Sequence, residues 1–199
     1  MLMGGFAILI FVGTLLLLLP FTNTQGGMTP FMDALFTATS AVTVTGLIVV
    51  DTPTYWSFSG QLIIMLLIFP GGLGIMTSAT FLLILIGQRI TLANRLLMRE
   101  SLGVNQLGGL IRLTLRIVFA VVVIQIIGFL VLFVSLFSEY PPATALWQAG
   151  FHAVSGFNNA GFVIFPDSQS LSAFQQDYGF LIPMTVLIIL GTLSFSVLL

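Results

Sequence analysis

The sequence predicts an all-α integral membrane protein whose repeated unit places a short re-entrant loop between two spanning helices. Composition supports the membrane class, because 58% of the residues are hydrophobic and 6% are charged, against about 25% charged residues in a typical soluble domain. The mean hydropathy of +1.17 agrees with this class. The chain has no cysteine, which excludes disulfides, thiolate metal sites and thiol nucleophiles.

The repeat is visible in two short stretches that resemble one another. Residues 34–46 read ALFTATSAVTVTG and residues 149–161 read AGFHAVSGFNNAG, and the two align without a gap. Each lies between long apolar segments and ends at a glycine, Gly46 or Gly161, yet neither is long enough to cross a bilayer. This pattern predicts a duplicated re-entrant hairpin, which is a form that permeation sites take in membrane proteins.

Four apolar segments are candidates to span the roughly 30 Å of the hydrocarbon core. The first has no basic residue before it, which favours an anchor helix over a cleaved signal peptide. The second contains the string PGGLG near its middle, which predicts a kink or break, or alternatively close helix packing through small residues. The predicted spans are residues 2–19, 57–87, 113–137 and 178–199.

Between the two spans of each unit, the sequence predicts a half-helix and then an extended segment. Thr29 fits an N-cap before a proline, and a helix from there to about Ser40 would be about 16 Å long, half the thickness of the core. The β-branched stretch 41–47 then favours an extended segment. In the second unit the half-helix is predicted at 143–154 and the extended segment at 155–161.

The chemistry of this arrangement favours a cation. A half-helix that enters from outside directs the negative end of its dipole at the membrane centre. Carbonyls of the extended segment have no helical partner, and at that depth they are tolerated where they line a hydrated path or bind an ion. The terminal glycines are the expected positions of unusual backbone angles. The predicted ion-binding residues are Thr43, Val44, Thr45 and Gly46 in the first copy and Asn158, Asn159, Ala160 and Gly161 in the second.

The basic residues predict the orientation. All five of them lie between residues 89 and 116, so by the positive-inside rule this stretch is cytoplasmic and the re-entrant loops open outward. Arg89, Arg95 and Arg99 are candidates to face a partner; alternatively, the arginines serve only to set the topology.

An intramembrane hydrolase is the enzymatic alternative, and it would depend on the single histidine. His152 lies three residues before Ser155, a spacing that would suit a base and a nucleophile. Such a site needs an oxyanion pocket and usually a glycine two residues before the serine, where this chain has Ala153. We therefore predict no enzymatic activity and interpret His152 as a hydrogen-bonded packing residue.

Three strings together resemble the Trk/Ktr/HKT superfamily of potassium transporters, and most closely its bacterial Ktr-type membrane subunit: TSAVTVTGLIVVD at 39–51, PGGLG at 70–74 and FHAVSGFNNAGF at 151–162. The resemblance implies potassium uptake across the plasma membrane through a potassium-channel-like pore of four span, pore-loop and span units. Gly46 and Gly161 match the first two filter glycines. The break would lie on the cytoplasmic side of the filter, and its hinge or gate candidates are Pro70, Gly71, Gly72 and Gly74.

The resemblance also implies partners. It implies membrane lipid, a cytoplasmic nucleotide-binding regulatory subunit and a homodimer of full-length chains, with no nucleic acid and no covalently bound cofactor. Potassium is the substrate, and sodium is a candidate coupling ion.

The chain departs from the family pattern because it has two pore loops of an expected four. We therefore expect the N-terminal half of a longer transporter, and half a filter is not expected to select or conduct alone. The alternative function is a non-conducting membrane scaffold or assembly subunit, in which the repeats serve only helix packing. The expected units are a first repeat at 1–87, a cytoplasmic connector at 88–112 and a second, truncated repeat at 113–199.

Overall fold

The computed structural model describes residues 2–74, 110–165 and 171–193, and within these ranges every regular element is a helix. The predicted all-helical class is therefore confirmed for the described residues. The partner-facing candidates Arg89, Arg95 and Arg99 lie outside them. In chain order the elements are α1 (Leu2–Leu17), α2 (Phe31–Val42), α3 (Thr52–Tyr55), α4 (Phe58–Gly72), α5 (Leu110–Leu136), α6 (Pro142–Phe157), a 3-10 helix (Leu171–Phe174) and α7 (Tyr178–Thr192).

One helix in the described part of the chain is long and apolar enough to cross a membrane by itself. It is the portion Arg112–Leu136 of α5, with 25 residues. The predicted spans at the other three positions appear as the shorter apolar helices α1, α4 and α7, of 16, 15 and 15 residues. The parts of those predicted spans at 75–87 and 194–199 lie outside the described residues.

The helices pack in two groups of three. Helices α1, α2 and α4 contact one another, as do α5, α6 and α7, and α4 also contacts α6. The two groups share their cores, because Phe151 and Phe162 pack with the first group while Leu73, just after α4, packs with the second. Large apolar side chains such as Phe119 and Val134 on α5 are left exposed, as expected for a surface that faces lipid.

The two half-helices, α2 and α6, begin at prolines. Pro30 and Pro141 occupy the N-cap positions with φ of −54°, so the prediction that Thr29 is the N-cap of α2 is wrong by one residue. Both helices also run past their predicted ends, to Val42 and Phe157. The predicted extended segments at 41–47 and 155–161 are therefore wrong at their first residues, because main-chain bonds close each helix beyond its predicted end. In the first segment these bonds outweigh the β-propensity of the local side chains.

Candidate functional site

Helices α2 and α6 end in the same backbone turn. The residue after each helix stays near the helical region, with φ −89° and ψ 3° at Thr43 and φ −81° and ψ 0° at Asn158. The next residue is left-handed, with φ of 48° at Val44 and 57° at Asn159. Asparagine adopts this region readily, but a β-branched residue does so rarely. Val44 is therefore held in a strained conformation that costs on the order of 1–3 kcal/mol.

Hydrogen bonds close both turns in the same register. The N–H of Thr45 donates to the carbonyl of Ser40 at 2.9 Å, and the N–H of Ala160 donates to the carbonyl of Ser155 at 2.8 Å. A bond of this span across a left-handed residue is the Schellman motif. The repeat seen in the sequence is thus a repeat of backbone geometry as well.

The chain then reaches the two glycines, which lie against each other. As expected, both have positive φ, 76° at Gly46 and 74° at Gly161. A Cβ added to Gly46 would lie 2.5 Å from the carbonyl oxygen of Ala160 and 2.9 Å from the Cα of Gly161. The two predicted filter segments therefore meet at their glycines, and Gly46 has no room for a side chain.

Four main-chain oxygens at this meeting point have no hydrogen-bond donor among the described residues. Among the hydrogen bonds between described residues, none is accepted by the carbonyls of Thr45, Gly46, Ala160 or Gly161. Carbonyl oxygens are the ligands that potassium filters use in place of water. Within the described ranges there is also no group of three or more His, Asp or Glu side chains that would hold a metal ion.

The C-terminal ends of α2 and α6 each rest on a glycine of the helix that follows. A Cβ on Gly71 of α4 would collide with the carbonyl oxygen of Val42, the last residue of α2. A Cβ on Gly191 of α7 would collide with the carbonyl oxygen of Phe157, the last residue of α6. The two copies make the same contact, so α2 packs against α4 in the same way as α6 packs against α7.

The predicted break at the string PGGLG is confirmed as the end of a helix. Pro70 lies in the last turn of α4, and Gly74 has φ of 77° with no atom within 4 Å of an added Cβ. Gly72 packs against the side chain of Asn158 in the other copy, whose buried Oδ1 has no hydrogen-bond partner among the described residues. Helix termination and close packing of small residues, the two interpretations of this string, therefore occur together.

Three side chains of α6 hold the segment that follows the second turn. The Nε2 of Gln148 donates to the carbonyl of Ile164 at 2.7 Å, and the N–H of Ile164 donates to the Nε2 of His152 at 3.4 Å. The Oγ of Ser155 donates to the carbonyl of Phe162 at 2.8 Å. This set was not predicted from the sequence, although its members recur at helical spacing along one face of a largely apolar helix, which was the available signal.

His152 is fully buried, and its side chain packs inside the protein. Its Nδ1 lies 2.7 Å from the carbonyl of Gln148, and its ring stacks on Phe165 with centroids 4.1 Å apart. Because Nδ1 faces an acceptor and Nε2 faces a donor, the geometry fits the neutral tautomer. The Ser155 hydroxyl donates to Phe162 instead of to His152, so the two side chains do not form a nucleophile and base pair.

The chain is similar in sequence to known cation transport proteins. Residues 6–199 match the sequence model of TrkH, a cation transport protein. The chain is 42% identical over 194 residues to the potassium/sodium uptake protein NtpJ of Enterococcus hirae and 41% identical over 194 residues to the Ktr system potassium uptake protein B of Bacillus subtilis. Each alignment covers 98% of this chain and 43% of the relative.

A further relative is the Ktr system potassium uptake protein D of Bacillus subtilis, 36% identical over 188 residues, with 94% of this chain and 41% of the relative covered. The chain thus spans less than half the length of the curated relatives it matches. The resemblance drawn from three short strings is confirmed, and these relatives are transport proteins rather than enzymes.

Proposed function

We propose that this chain, which belongs to the TrkH family of cation transport proteins, forms two of the four pore loops of a potassium uptake transporter in the plasma membrane. The observation that carries the proposal is the contact between Gly46 and Gly161 at the ends of two identically capped half-helices. Two segments 115 residues apart thus meet with their main chains in direct contact, as pore loops around one ion path would.

The proposed task is to replace the water around a cation. Each half-helix ends beside the glycines, so two dipoles direct their negative ends toward this region. Carbonyls that accept no hydrogen bond from the described residues would then supply oxygen ligands. The proposed ligands come from Thr43, Val44, Thr45 and Gly46 in one loop and from Asn158, Asn159, Ala160 and Gly161 in the other, and the two remaining loops of the pore would come from the rest of a full-length protein.

The names of the relatives support the choice of ion. One is named for potassium and sodium and two for potassium. We propose potassium as the substrate of this transporter and sodium as a candidate coupling ion. The word uptake in these names supports inward transport, with the filter loops facing outside and the arginine-rich connector in the cytoplasm.

The end of α4 is the proposed gate or hinge, comprising Pro70, Gly71, Gly72 and Gly74. Gly71 touches the last carbonyl of α2, and Gly72 touches Asn158 after α6. A displacement of this helix end would therefore reach both filter loops through direct contacts. A cytoplasmic nucleotide-binding subunit that engages Arg89, Arg95 and Arg99, on a homodimer of full-length chains, is the proposed source of that displacement.

The proposal is tested in the full-length protein by the substitution Gly46→Ser. We expect a strain without potassium uptake to grow on low potassium with the parent gene, and the preference for potassium over sodium in flux measurements to fall in the variant. Gly26→Ser is the matched control, because Gly26 has φ of 75° and no atom within 4 Å of an added Cβ. It introduces the same backbone strain away from the loops.

Two results would contradict the proposal. Failure of the parent gene to restore growth would favour the non-conducting scaffold, in which the glycine contacts serve only packing. Equal ion preference in Gly46→Ser and Gly26→Ser would show that the contact between the glycines does not determine ion selection.

A further inference from the structure

We infer that Gln148, His152 and Ser155 are positioning residues that fix the second filter loop, and that the first filter loop has no equivalent support among the residues that the structure describes. This inference rests on the proposed function. We call the three side chains the polar ladder. It would make the two loops unequal in stiffness although their backbones match, so that the carbonyl of Gly161 is held in place while that of Gly46 adapts.

The polar ladder acts on the peptide groups immediately after the second glycine. Ser155 holds the carbonyl of Phe162, His152 accepts the N–H of Ile164, and Gln148 donates to the carbonyl of Ile164. These bonds fix three successive peptide planes, beginning one plane beyond the carbonyl of Gly161. A peptide plane can turn only if its neighbours compensate, so the bonds restrict rotation of that carbonyl.

The bonds are also buried, which makes them costly to break. Phe162 and Ile164 are 1% and 2% exposed, and irregular backbone at membrane depth must have its polar groups satisfied within the protein. The ring of His152 is fixed between Phe165, on which it stacks, and Phe180, which it meets edge-on at 6.2 Å between centroids. The polar ladder is therefore a preorganised support.

The first loop differs at each equivalent position. Asp33, Thr37 and Ser40 of α2 align with Gln148, His152 and Ser155. Between described residues, no side-chain bond runs from α2 to the segment after Gly46, and the buried Oγ of Ser40 has no hydrogen-bond partner.

Burial differs in the same sense. Leu47, Ile48 and Val49 are 60%, 52% and 50% exposed, whereas their counterparts after Gly161 include the buried Phe162 and Ile164. Among the described residues, the first loop therefore lacks the buried hydrogen bonds that hold the second.

The experiment compares the same deletion of a hydroxyl at two aligned, buried serines. Ser155→Ala and Ser40→Ala are made in the full-length protein. The KM for potassium and the preference for potassium over sodium are then measured at equal amounts of inserted protein. We expect Ser155→Ala to lower the preference about five- to tenfold, the effect of one lost hydrogen bond of typical strength. Ser40→Ala should stay within about twofold, since the Ser40 hydroxyl makes no hydrogen bond to the described residues.

A second pair of variants keeps the test independent of folding. His152→Gln retains an acceptor for the N–H of Ile164, whereas His152→Leu retains bulk without an acceptor. We expect the Gln variant to keep more of the potassium preference than the Leu variant at equal membrane insertion.

The parent protein must first transport potassium selectively. If the two serine variants then change the potassium preference equally, and the two His152 variants do so as well, the positioning role of the polar ladder is refuted and the proposed function stands. A parent that transports no potassium would instead overturn the proposed function.

Discussion

The contact between Gly71 and the end of α2 gives a prediction about stability. Replacing Gly71 by alanine places a methyl group on the main-chain carbonyl of Val42. That carbonyl belongs to a capped helix end and cannot move aside as a flexible side chain would, so α4 and α2 must separate.

The magnitude follows from two opposing effects. Alanine is favoured over glycine in a helix by up to about 1 kcal/mol, but overpacking of a buried contact costs typically 1–3 kcal/mol. Gly71 lies in the last turn of α4, where the helical gain is reduced. We therefore expect Gly71→Ala to destabilise the protein by about 1–2 kcal/mol.

The assay is thermal unfolding of the full-length protein in detergent, followed by potassium flux. Gly4→Ala is the matched control, because Gly4 lies in α1 with no atom within 4 Å of an added Cβ; it should leave the Tm unchanged or raised. Gly191→Ala, against the carbonyl of Phe157, should lower the Tm as Gly71→Ala does. A Tm for Gly71→Ala equal to that of Gly4→Ala would refute the reasoning.

Three further predictions concern single residues. Val44→Asn should raise the Tm and retain potassium uptake, because asparagine accepts the left-handed conformation as Asn159 does; a lowered Tm would contradict the assigned strain. Gly74→Ala should strain the end of α4 by about 1 kcal/mol without any collision, and its flux should respond differently to the regulatory partner if this end is the gate. Trp147→Phe should lower the Tm through loss of the 2.8 Å bond from its Nε1 to Gln61, by about 1–3 kcal/mol, whereas an unchanged Tm would show that this bond does not hold the two groups together.

Much of the fold was accessible from local sequence. Apolar length and composition predicted the helices, proline located the starts of both half-helices to within one residue, and the string PGGLG predicted the end of α4. The ends of the half-helices were missed by two or three residues. Valine and threonine near position 43 favour extended structure by themselves, and only the bonds that close the helix reverse this preference.

The backbone angles at the two glycines of the candidate site were predicted from the sequence, but the hydrogen bonds that support the second loop were not. Glycine at two aligned positions indicates a backbone conformation that disfavours a Cβ atom. The positive φ at Gly46 and Gly161 was therefore expected. The partners of Gln148 and Ser155 were not predictable in this way. Each of those bonds joins two points brought together by the turn after α6, and a propensity assigned residue by residue contains no such information.

The polar ladder and the strained valine lead to one physical picture of the pair of loops. Evolution can keep a backbone fixed either by choosing side chains that prefer its conformation or by holding it with neighbours. The second loop has both, asparagine in the left-handed position and three buried hydrogen bonds beyond it. The first loop has a valine that opposes its own conformation, so its geometry depends on packing against α4 and against the second loop. A gate that moves the end of α4 and reaches both loops would therefore disturb the first loop more than the second.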